Sequence, residues 1–135
     1  MGPLASIAVP QELRDAVSGQ AWLEGMLEAE RALAAAEAAA GVIPASAAEA
    51  IAGACRAELY DWDEIAAQGR AVANPAEPLV RALRERVGGD AAQWVHRGAT
   101  SQDVVDTAAM LVARRARALV LGHAGDVAAA CAWVS

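Results

Sequence analysis

Lysine and phenylalanine are absent from the 135 residues, tyrosine occurs once, and cysteine and histidine occur twice each. Cys55 and Cys131 lie far apart and outside any metal-ligand spacing, which excludes a disulfide framework and a zinc site and fits a reducing, cytoplasmic setting. Every basic side chain is therefore arginine, and a formal net charge of -6 argues against nucleic acid and against an anionic membrane surface, both of which reward concentrated positive charge. The densest basic cluster, Arg114, Arg115 and Arg117, falls within one helical turn and reads as salt-bridging residues on a solvated or interface face. Long hydrophobic runs are missing as well: charges interrupt the alanine-rich segments too often for a bilayer span, and the opening "MGPLASIAVPQELRD" lacks the basic region and apolar core of a signal peptide. The expectation is a soluble, intracellular protein.

What is present favours helix. The sequence is 56% hydrophobic and rich in Ala, Leu, Arg and Glu, which lose little on entering a helix, and its length suits one unit with a sizeable core. From Gln20 to Ala40, Trp22, Leu23, Met26, Leu27 and Leu33 gather near one face, and Gly41 with Pro44 ends the pattern. Ser46 and Glu49 have capping-box spacing ahead of Ile51, Cys55 and Leu59, and Asp61 with Glu64 repeats the device before a short helix from Trp62 towards Gly69. Asn74 before Pro75 predicts a turn, then a helix to Val87, broken by Gly88 and Gly89. A further turn of helix leads through Trp94 to the last element. From Gln102 one helix is expected to run nearly to the end, with Gly122 and Gly125 as weak points. Its final part, "ALVLGHAGDVAAACAWVS", is apolar on nearly all sides and carries no terminating signal, the pattern of a helix interrupted inside a bundle. No strand signal, repeat or low-complexity linker is present.

The stretch "VHRGATSQDVVDTA", Val95 to Ala108, carries the chemistry. Thr100 and Asp103 have the spacing that caps a helix. Capping leaves Gly98, Ser101 and Gln102 unexplained. A glycine that permits close approach, two adjacent hydroxyls and the positive end of a helix dipole together suit a bound carboxylate. His96, on the entering loop, can donate to such a group or take part in proton transfer near neutral pH. Elsewhere, Asp106 reads as a structural hydrogen bond or ion pair, His123 as a packed or interface residue without a partner pattern, and the four tryptophans and two cysteines as core residues.

"HRGATSQDVVDTA" resembles the first signature segment of the fumarase/aspartase superfamily. "WLEGMLEAERALAAAEAAAGVIP", "ACRAELYDWDEIA" and "NPAEPLVRAL" extend the resemblance to the N-terminal region of the bacterial 3-carboxy-cis,cis-muconate cycloisomerases, over essentially the whole chain. Gln102, in the form TSQD, is more like these than like adenylosuccinate lyases. The resemblance implies an all-α fold. A small N-terminal helical domain, residues 1–100, would precede the truncated first long helix of a central bundle, residues 101–135. It also implies a polycarboxylate substrate of aromatic degradation, closed to a lactone without a cofactor or metal, and a homo-oligomer, tetrameric in the full-length family. His96, Thr100, Ser101 and Gln102 would contact substrate. Asn74 is a further candidate from a turn that faces the active site in relatives, and so is Arg97, which stands where the family commonly has Trp. No residue of this chain is assigned as a catalytic acid or base. The family's second segment with its histidine, and its third with a serine on a glycine-rich loop, have no counterpart in these residues, and three subunits contribute to each family active site. The isolated chain is therefore expected to be catalytically silent. An adenylosuccinate lyase-like fragment and a non-catalytic helical oligomerisation module are the alternatives.

Overall fold

The computed structural model describes residues 8–134, and these form helices, turns and loops with no strand among the described residues. Met1 to Ile7, part of the opening segment read for targeting signals, and Ser135 lie outside the described residues. Helix α1 spans Gln11–Ala16 and α2 spans Gly19–Ala39. Ser18 caps α2 by accepting from the Ala21 N–H at 3.2 Å. The helix closes in a Schellman turn: Gly41, at φ +72, donates to the Ala38 carbonyl and Val42 to that of Glu37, a backbone that glycine adopts without strain. Then follow α3 (Ala45–Ala54), a 3-10 turn (Ala57–Leu59), α4 (Trp62–Val72), α5 (Ala76–Val87), a 3-10 segment (Gly89–Trp94) and α6 (Ser101–Val134).

Two boundaries differ from expectation. The Ser46–Glu49 capping box does not form, because α3 starts earlier, at Ala45, with no side-chain cap. The Pro44 carbonyl already accepts from Ala47 and Ala48, which leaves Ser46 inside the first turn. Helix α4 is capped as expected, with Asp61 Oδ1 accepting from Asp63 and Glu64 N–H at 2.8 and 3.4 Å. It continues past Gly69 to Val72 and stops where Ala73 turns left-handed at φ 55.

Helix α2 is the axis of the packing. Its first half contributes Leu23, Met26 and Leu27 to a cluster with Ile65, Ala76, Leu79, Val104 and Ala108. Its second half contributes Ala34 to another, with Ile43, Ile51, Ala54, Val80, Leu83 and Val95. Each fully buried Leu or Ile contributes about 1.5–3 kcal/mol, so the two clusters hold six elements around one rod. Helix α6 buries only its first part: Val104, Ala108 and Val112 are buried, and Arg115 pairs with Glu24 at 3.5 Å and Glu28 at 2.9 Å on α2. The helix passes Gly122 and Gly125 without a break.

Past that point the core readings fail. Trp133 is 90% exposed and Cys131 is exposed, since this part of α6 extends beyond the elements that could cover it. Trp22, Trp62 and Trp94 are half-buried against the two clusters, and Cys55 is half-buried between them. His123 has a partner after all: Nε2 lies 2.6 Å from Glu12 Oε1 on α1, a contact between segments too distant in sequence for a local pattern to reveal. No helix among the described residues is long and apolar enough to cross a membrane.

Candidate functional site

The start of α6 is built as its sequence predicts. Asp103 Oδ2 accepts from the Thr100 N–H at 2.7 Å and from Thr100 Oγ1 at 2.9 Å. Thr100 Oγ1 in turn accepts from the Asp103 N–H at 3.3 Å. These bonds from the Thr100 backbone and hydroxyl hold the Asp103 carboxyl below its ordinary value of 3.8, as donors to an ionised carboxylate must. Thr100 is thereby occupied as a cap. Gln102 is exposed and donates from Nε2 to Asp106 Oδ1 at 2.6 Å, the structural role expected of Asp106.

His96 sits one loop earlier in an unusual place. Its φ is +59, and Ala73 is the only other non-glycine residue at positive φ among the described residues. Such a backbone is costly without compensation. Nδ1 lies 2.6 Å from Oε1 of Glu30, whose side chain is 1% exposed and His96's 12%. Glu30 falls between Leu27, in the first core cluster, and Ala34, in the second. The loop from His96 to Thr100 crosses the same seam between Val95 and Val104. Arg84 anchors the start of the loop by donating to the Val95 carbonyl at 3.1 Å, and Gly98 supplies its turn at φ +73. The remaining oxygens Glu30 Oε2 and Glu37 Oε2 are buried without a hydrogen-bond partner among the described residues.

His96 and Ser101 line one open cavity of about 280 Å³, together with Glu77, Val80, Arg81 and Arg84 of α5. Glu77 pairs with Arg81 at 3.7 Å and Arg84 also donates to the Val95 carbonyl; the guanidinium N–H groups left over, with the imidazole and the hydroxyl, can hold an anionic, carboxylate-bearing molecule. The other sequence candidates lie elsewhere. Asn74 Oδ1 accepts from the Ala76 N–H at 2.8 Å and so starts α5. The exposed Arg97 carries its guanidinium 4.7 Å above the Trp94 ring. A wider cleft of about 630 Å³ between α4 and α5 contains none of the sequence candidates. Arg81, shared with the smaller cavity, donates here to Gln68 Oε1 at 2.6 Å, and Arg86 donates to the Leu59 carbonyl at 2.7 Å and stacks over Tyr60.

Glu30, Arg81 and Arg84 escaped the sequence reading. A signal existed for Glu30, which lies four residues after Met26 and four before Ala34, in register with the buried stripe. Arg81 and Arg84, three residues apart in "VRALRER", share one face of α5. Among the described residues no three His, Cys, Asp or Glu side chains gather as a metal site.

Known proteins place this architecture. The family model described as Lyase matches residues 9–128. A nitrosuccinate lyase from Streptomyces davaonensis is 45% identical over 96% of the chain and 28% of its own length. A 3-carboxy-cis,cis-muconate cycloisomerase from Pseudomonas aeruginosa is 49% identical over 80% of the chain and 24% of its own length. The crystal structure of the 3-carboxy-cis,cis-muconate lactonizing enzyme from Pseudomonas putida superimposes with a TM-score of 0.83 at 40% identity, covering 87% of this chain and 28% of that one. The chain thus spans about a quarter of the length of the curated relatives it matches. Together with the signature segment at the head of α6, these matches show that the chain belongs to the lyase family of the fumarase/aspartase superfamily.

Proposed function

We propose that this chain is the N-terminal, carboxylate-holding part of an enzyme that closes 3-carboxy-cis,cis-muconate to a carboxymuconolactone. In that isomerisation one carboxylate oxygen bonds to a carbon of the double bond and the neighbouring carbon takes up a proton; counted from the free acid, whose carboxyl proton this replaces, no atom is gained or lost. The observation that carries the reading is the meeting of His96 and Ser101 with Arg81 and Arg84 around one cavity. Negative charge that builds up on a substrate carboxylate during such an addition is best held by fixed donors. Ser101 and His96 are the primary contacts in this reading. Thr100, Gln102, Asn74 and Arg97 act through the geometry of the segment, as cap, helix-surface residue, turn and stacked cation. The enzyme is a soluble cytoplasmic homo-oligomer that needs neither metal nor cofactor, and its proton-transfer groups belong to segments other than residues 1–135. The 135-residue chain alone turns over no substrate.

A second reading, elimination from a dicarboxylate such as nitrosuccinate, is favoured by the relative that matches 96% of the chain. Both readings need the same grip on a carboxylate. Calorimetric titration of the chain with tricarballylate, a stable tricarboxylate, tests the grip: Ser101→Ala is expected to weaken binding by about 1 kcal/mol, and His96→Ala at least as much. Binding unchanged in both variants would show that the cavity does not hold the carboxylate. Chimeras that place residues 9–128 before the remainder of each relative separate the two reactions. Lactone formation by the cycloisomerase chimera supports the first, and turnover confined to the nitrosuccinate lyase chimera supports the second.

A further inference from the structure

We infer that Glu30 is the positioning residue of His96, setting which ring nitrogen faces the cavity; the inference rests on the cavity reading above. An ionised carboxylate can only accept, so the 2.6 Å contact of Glu30 Oε1 with Nδ1 places a proton on Nδ1. In the neutral ring Nε2 is then the bare nitrogen, able to accept a proton or, once protonated, to donate to a carboxylate. Buried carboxylates behind ring nitrogens fix tautomer and orientation in this way at other sites. Three features make this more than a chance contact. Glu30 is 1% exposed in an otherwise apolar stripe of α2, where burying an unpaired carboxylate is costly. His96 holds a left-handed backbone that its neighbours must sustain. His96 lines the cavity with Ser101, Glu77 and the two α5 arginines, while its Nδ1 meets the buried Glu30 carboxylate.

The test is long-range proton–nitrogen NMR of the imidazoles in the 135-residue chain. His96 and His123 are its only histidines, so His123→Asn assigns the spectrum. At a pH where the ring is neutral, His96 is expected to show a protonated Nδ1 and a bare Nε2, and Glu30→Gln to shift the population towards the opposite tautomer. Tricarballylate binding should weaken about tenfold in Glu30→Gln, in a protein whose circular dichroism is unchanged. A bare Nδ1 in the native chain, or the same tautomer in Glu30→Gln, would overturn the inference. Should Glu30→Gln fail to fold, the native spectrum decides by itself. The expected tautomer together with unimpaired tricarballylate binding in His96→Ala would sink the cavity reading and leave the positioning of the ring intact.

Discussion

Thr100 and Asp103 hold the first turn of α6 through three hydrogen bonds that involve their side chains, and their pairing has a pH signature. Because the Asp103 carboxyl is depressed below 3.8 in the folded chain, its contribution is complete above that value and is lost as pH falls through the depressed one. Asp103→Asn should flatten this acid limb of a stability-against-pH curve followed by circular dichroism. Thr100→Ala should cost about 1 kcal/mol in urea denaturation at neutral pH. The two cysteines diverge in the same way. Burial, with the Glu30 charge behind it, pushes the Cys55 thiol up to about 12, whereas Cys131 is exposed. Iodoacetamide at pH 8 should therefore alkylate Cys131 and spare Cys55, as read by peptide mass spectrometry, because the thiolate is the reactive form. The cap was legible in sequence since both partners lie within one turn. Glu30 was not singled out, because its partner is 66 positions away and a glutamate in a glutamate-rich helix reads as solvent-facing until its register with Met26 and Ala34 is noticed.

Helices α2 and α6 approach each other at Gly25, where an added Cβ would meet the Ala108 Cα at 3.1 Å and its Cβ at 3.2 Å. Gly25→Leu should destabilise the fold by about 1–3 kcal/mol in urea denaturation, the usual cost of overpacking, since backbone rather than a mobile side-chain end lies in the way. Periodicity and punctuation predicted the elements well, α2 and α5 almost to the residue, because their apolar stripes and glycine or proline stops act locally. The start of α3 was missed for a reason equally local. A proline with extended backbone set the entry point and so outcompeted a serine two positions later. Helix α4 outlasts Gly69 because its actual stop is the left-handed Ala73, with the Asn74 N–H donating back to the Gly69 carbonyl at 3.1 Å; the glycine instead leaves room for the following turn, where a Cβ would lie 3.0 Å from the Pro75 Cα.

At the scale of the molecule, α6 is 34 residues long, about 50 Å at 1.5 Å per residue, and its buried residues end at Val112. Met110, Val120, Leu121, Val127 and Trp133 are exposed, apolar side chains on several faces of the helix that association would cover. Light scattering should show concentration-dependent association of the chain, weakened by Val127→Glu; a strict monomer at high concentration would count against an apolar helix that seeks partners. The sequence had marked this segment as apolar on nearly all sides, but could not say that α2 would cover only its beginning. The contact between Glu30 and His96 has a consequence for how the cavity comes into being. Its two partners meet only after α2 has packed against the loop before α6, so the proposed binding surface is a product of tertiary closure and does not exist in the open chain. Any occupant therefore acts as a folding ligand: at a hundred times its dissociation constant it adds about 2.7 kcal/mol to stability, and a rise in melting temperature becomes a screen for what the cavity holds.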